Sequence, residues 1–170
     1  MTVSLGNISR SDSKNTPGYS ELYAAYEKDV SAIPAAASGD VASAITMVTG
    51  KVFNKIEFDH ENGCFSMTEE QEGDGQYGQF RTTLQGHIAG NNATLKNAID
   101  AYIGVPCVFI GKRKEDGVYE ILGEVGSGIV LKFKQNTSGR AGNLSGWDFT
   151  GNQDYNHLPY DYSDGTITTS

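Results

Sequence analysis

The chain has 170 residues, 38% apolar and 20% charged, enough for one domain with a hydrophobic core and little room for a second. A net charge of −8 and a pI near 4.8 disfavour groove-type nucleic-acid binding, which needs clustered Lys and Arg to release counterions. Mean hydropathy is −0.40, and the apolar runs are too short for a membrane-crossing helix, so no membrane partner is expected.

The N-terminal stretch "MTVSLGNISRSDSKNTPGYS" is polar and lacks the basic start and apolar core of a secretion signal. It reads as an arm with little structure of its own. In "SELYAAYEKDV", Ser20 suits an N-cap, and Leu22, Tyr23 and Tyr26 share a helical face, which predicts a short helix. "SAIPAAASGDVASA", residues 31–44, is a small-residue connector.

Period two then takes over. In "KVFNKIEFD", Ile56 and Phe58 flank Glu57, a turn follows at "HENG", and "CFSMT" places Phe65 and Met67 on one face. Asn62-Gly63 suits a tight turn, so these two runs predict a hairpin. A second turn, "EEQEGDGQYG", leads to "QFRTTLQGHIAG". Phe80, Thr82, Leu84, Gly86 and Ile88 fall on one face of that run. Arg81, Thr83, Gln85 and His87 fall on the other, the pattern of a half-buried strand with a wet side. "NNATLKNAIDAYIG" carries a helical stripe of Leu95, Ala98, Ile99 and Tyr102, with Asn91 or Asn92 as cap and Gly104 at the stop. The remaining runs, "VPCVFIGK", "VYEILGE", "GIVLKFKQ" and "WDFTG", read as strands. The sequence thus divides into an arm with a short helix over residues 1–30, a β domain over 31–151 with its helix at about 92–103, and a polar extension over 152–170. The fold class is mainly β with one flanking α-helix, a small β-sandwich or barrel.

Three glycines in "GEVGSG", residues 123–128, suggest a phosphate loop. Such a loop needs a helix directly after it, and here the next residues alternate as a strand, so the glycines read as turn residues. His60, His87 and His157 have no partner at metal-ligand spacing, and neither a metal nor a cofactor is expected. Cys64 and Cys107 read as reduced thiols in buried strands. No Gly-x-Ser-x-Gly elbow is present, no catalytic set emerges, and the chain reads as a non-enzyme. Glu69, Glu70, Glu72 and Asp74 crowd one turn, either a solvated hairpin tip or a loop facing a neighbouring subunit or a channel. Tyr155, Tyr160 and Tyr162 lie in a tail with too little apolar surface to offset its ordering entropy. A partner chain is expected to hold that tail.

The layout resembles the tail tube (major tail) proteins of phages and prophages, especially of Bacteroides-type hosts. The resemblance rests on "SGD" at 38–40, "TGKVFNKIEF" at 49–58, "EGDGQYGQFRTTLQG" at 72–86, the helix, "PCVFIGKRKEDGVYEILGE" at 106–124 and "TSGRAGNLSGWDFTG" at 137–151. It covers roughly residues 38–151 and lies in order and spacing rather than in one motif; the N-terminal arm and the extension after Gly151 depart from it. It implies a small β-sandwich with one helix, assembled into stacked hexameric rings around an acidic DNA channel in a virion tail. Such a protein is put together in the host cytoplasm, beside other tail proteins. Strands at 51–59, 63–69 and 78–88 become wall elements, with Arg81, Thr83 and Gln85 facing lumen or solvent. The loop Glu69–Asp74 becomes an inter-subunit or lumen loop, and Tyr155, Tyr160 and Tyr162 an inter-ring tail. Six copies would carry roughly −50, a field that repels passing DNA and is screened beyond a Debye length. Alternatives are another virion component, namely a head–tail connector, tail terminator or capsid decoration protein, or a carbohydrate- or ligand-binding β-sandwich.

Overall fold

The computed structural model describes residues 17–59, 63–70, 78–136 and 145–169. Among them one antiparallel sheet of nine strands dominates. Its elements are β1 (Tyr19–Tyr26), β4 (Asn54–Lys55), β5 (Phe65–Glu70), β6 (Phe80–Ala89), β7 (Pro106–Arg113), β8 (Tyr119–Leu122), β9 (Ile129–Asn136), β10 (Gly146–Tyr155) and β11 (Tyr160–Tyr162). β2 (Val30–Ala32) and β3 (Thr46–Met47) form a separate pair, and α1 (Ala93–Asp100) is the one α-helix among the described residues. The main path runs β11-β8-β7-β9-β10-β6-β5, with β1 against the other side of β7 and β4 on β1. The sheet folds over on itself: Tyr19 at the start of β1 donates its N–H to the Cys64 carbonyl just before β5, at 2.6 Å.

β1 is a strand of the main sheet where the sequence predicts a short helix at the end of an arm. Only Glu27–Asp29 makes a single 3-10 turn. The reason is burial on both faces. Leu22 and Ala24 enter one core, with Cys107 and Phe109 of β7 and Leu122 of β8. Ala25 enters a second core on the opposite face, with Val108 and Ile110 of β7 and Ile121 of β8. A strand buried on both sides loses its alternation, and short apolar runs without alternation do not separate helix from strand. The second core is covered by the connector, through Val41, Ile45 and Phe53, and by Tyr162 from the C-terminal stretch.

The predicted hairpin between 51–59 and "CFSMT" does not form. Asn54–Lys55 pairs with Tyr23 and Ala24 of β1, Ile56 donates to the Leu22 carbonyl, and Asp59 donates to the His87 carbonyl. The segment thus bridges β1 and β6, whose backbone groups satisfy it, and among the described residues β5 pairs with β6 alone. The helix forms as read: Asn92 caps it by accepting from Leu95 N–H at 2.8 Å, and Gly104 adopts φ +72° beyond its end.

The glycine cluster is a turn of an unusual kind. Ile129 of β9 faces Cys107 while Leu122 of β8 faces Phe109, so β8 and β9 are one broken strand along β7. Residues 123–128 loop out between its halves. A Cβ on Gly123 would lie 3.1 Å from the Cys107 carbonyl oxygen, and one on Gly128 would lie 3.0 Å from Cys107 N. Only glycine lets the broken strand close that tightly on β7. The loop does hold an anion, supplied by this chain: Gly126 and Gly128 N–H donate to the Glu27 carboxylate at 2.6 and 3.2 Å.

Candidate functional site

The inward faces of β6, β9 and β10 supply Leu84, Leu131 and Phe149 to the first core, so among the described residues their outward faces are the ones left to meet another molecule. Register places the outward residues in rows across β5, β6, β10 and β9. One end row is Glu69, Arg81 and Asp154. The middle rows are Met67, Thr83, Asn152 and Val130, then Phe65, Gln85, Thr150 and Lys132. The far row is His87, Asp148 and Lys134. The expected wall residues Arg81, Thr83 and Gln85 therefore do share one surface.

That surface differs from the expected one in three ways. First, its apolar residues point out. Phe65 and Met67 of β5 face away from the core, Met67 being 45% exposed, while Ser66 and Thr68 face inward. Tyr19 explains the inversion: its hydroxyl meets Ser66 Oγ at 2.5 Å and donates to the Glu120 carboxylate, so a polar cluster occupies that end of the first core. Second, His87 is not on a wet face. It is 5% exposed, its Nδ1 sits 2.7 Å from Asp148 Oδ1, and its Nε2 has no hydrogen-bond partner among the described residues. Third, charge is balanced. Arg81 forms a two-pronged pair with Asp154 at 3.0 and 3.3 Å, which raises the guanidinium above its ordinary value. Lys134 stands opposite Asp148. The described part of this face is therefore not acidic.

Glu69 and Glu70 end β5 opposite Arg81 and Phe80, while Glu72 and Asp74 lie outside the described residues. β5 pairs on one side only among the described residues, leaving the other edge of a six-residue strand open.

The expected inter-ring tyrosines are not a tail. β10 continues four residues past Gly151, and Tyr155 is buried in the first core, its hydroxyl donating to the Ser127 carbonyl at 2.8 Å. Tyr162 is 1% exposed in the second core and donates to the Thr166 carbonyl at 2.6 Å. Burial raises both phenols above their ordinary value. Tyr160 stacks on His157 with centroids 4.2 Å apart, and His157 bonds to the Glu124 carboxylate. Backbone bonds from Val41 to Asp161, Asp161 to Gly39 and Phe53 to Thr168 tie residues 160–169 to the connector. These contacts anchor the C-terminal stretch to its own chain.

A second feature was not legible in the sequence. Between α1, the 50–59 segment and the sheet lies a cleft of about 1370 Å³, floored by Leu131, Phe133 and Phe149 and walled by Ile56, Phe58, Leu95 and Tyr102. The helix stands off the sheet here: Ile99 is buried, but Ala98 of the same stripe is exposed. Both cysteines are free and buried, and burial pushes each thiol up to about 12. A scan against protein-family models, a search of curated proteins and a search of solved structures each returned no match to this chain.

Proposed function

We propose that this chain is a structural, non-enzymatic virion subunit of the tail tube type, joining copies of itself into stacked rings around a DNA channel. The observation that carries the reading is the edge of β5, six residues long and unpaired among the described residues, in a sheet whose inner face is already committed to the core. An unpaired edge of that length invites another chain, and a ring removes the edge by pairing it with the next copy. The C-terminal stretch, anchored through Tyr155 and Tyr162, contributes nothing to this reading, and assembly contacts fall to the β5–β6 side of the molecule. A balanced wall also suits passage, because a paired guanidinium offers little to a DNA phosphate.

The cleft favours a second reading, a binding module for an apolar ligand, since mouths of small β-folds with apolar floors are common ligand sites. Negative-stain imaging and size-exclusion chromatography at high concentration separate these readings. Rings or tubes are expected. Closed rings that never stack point to a terminator, and a monomer at every concentration overturns assembly altogether.

A further inference from the structure

We infer that the outward face of β5, β6, β10 and β9 docks a second copy of this chain, face to face, in the free subunit. Three observations converge on that occupant.

The composition is that of an interface centre with a rim. The two middle rows hold Phe65, Met67 and Val130 among the neutral Thr83, Gln85, Thr150 and Asn152, with Lys132 at one corner. Met67 and Val130 are 45% and 37% exposed, whereas a polar partner or plain solvent has no use for them. Carboxylates and cations gather in the end rows. Protein interfaces have this layout: aromatic and Met residues enriched at a centre depleted of charge, and a polar rim.

Charge selects the orientation. The end row of Glu69, Arg81 and Asp154 has two carboxylates to one cation, while the opposite half of the face, its far row and the Phe65 row together, has Lys132 and Lys134 against Asp148. A two-fold axis lying in the contact plane, across the strands, sets each acidic end over the basic end of the other copy. The same turn lays the Met67 row over the partner's Phe65 row, sulfur against ring, a favourable contact in its own right. Sheets packed in this way keep their strands roughly aligned.

The area then fixes the strength. Four strands about 4.8 Å apart and four rows about 6.8 Å apart give roughly 500 Å² on each copy, about 1,000 Å² in total. That is the lower limit for a specific contact, so the pair is weak and reversible. Pairing hides the face that a tube would turn to its channel. It therefore competes with ring closure, which uses the β5 edge, and holds subunits back until assembly begins.

Sedimentation of the full chain across the micromolar range tests this. The wild type is expected to pass from monomer to dimer. Met67→Asp and Val130→Asp, both at exposed positions, are expected to weaken the dimer about tenfold or more while leaving the melting curve unchanged. Mixing Phe65→Cys with Met67→Cys chains is expected to give a disulfide-linked dimer that neither forms alone, the native thiols being buried. A wild type that is monomeric throughout, or a Met67→Asp chain that pairs as tightly as wild type, overturns the inference. So does retention of the wild type on DNA or a polysaccharide that Met67→Asp abolishes, because the face then belongs to that partner. Rings without pairs leave the tube reading standing and remove only this inference; pairs without rings do the reverse.

Discussion

The two halves of the sheet solve different problems. β1, β7 and β8 are covered on both sides, by the first core on one face and by the connector and C-terminal stretch on the other. β5, β6, β9 and β10 are covered on one side and present the other outward. The first half is a scaffold buried on both faces along most of its length, and the second is the part able to meet another molecule. Stability and function are therefore expected to separate along this line.

The largest contrast comes from the C-terminus. Deleting residues 152–170 removes the end of β10, Tyr155 from one core and Tyr162 from the other. The truncated chain is expected to lose its cooperative thermal transition by circular dichroism. A truncated chain that melts as sharply as the full one would mean that the stretch merely overlies a finished fold.

The next contrast uses the same substitution on each half. Ile110→Asp places a carboxylate in the second core, where Ile110 has no exposure, and is expected to cost about 4 kcal/mol or more. Val130→Asp lies on the outward face and is expected to change stability by about 0.5 kcal/mol or less. Denaturant titrations of the two variants measure the difference, and equal losses would erase the distinction between the halves.

The gentlest probe is alkaline pH. Burial raises Cys64 and Cys107 from 9.0 to about 12 and lifts Tyr19, Tyr155 and Tyr162 above their ordinary value. Raised values mean that the fold favours the neutral forms. Stability is then intact below about pH 9 and drains away as pH climbs toward about 12. Thiol reactivity and tyrosinate absorbance should appear together, at the unfolding transition. Early thiol labelling in folded protein would show that these sites open locally.

Legibility in the sequence followed the same division. The β6 pattern, the Asn92 cap and Gly104 stop of α1, and the strand after "GEVGSG" were readable because each depends on neighbours a few residues away. β1 was not readable, because burial on both faces removes the alternation that marks a strand. The outer rows are half readable: Arg81, Thr83 and Gln85 alternate with apolar neighbours, while Asn152 and Asp154 lie in a stretch whose polar composition reads as an extension. The signal that could have placed them was the period-two run Trp147, Phe149, Gly151, Gln153 and Tyr155, which continues through Gly151 without a break. Phe65 and Met67 were grouped correctly on one face, but which face turned outward depended on Tyr19 and Glu120, far away in the chain.

By itself, the amino-acid sequence determined a mainly β chain with one capped helix, turn-forming glycines and buried thiols, because capping, pleat and turn geometry are local. Only the tertiary structure decided that β1 is a central strand, that the C-terminal stretch closes a second core, and that the outward face carries Phe65, Met67 and Val130 between balanced charges. Those outcomes depend on which surfaces remain uncovered once distant segments have competed for the same apolar contacts, and no short window of sequence contains both competitors.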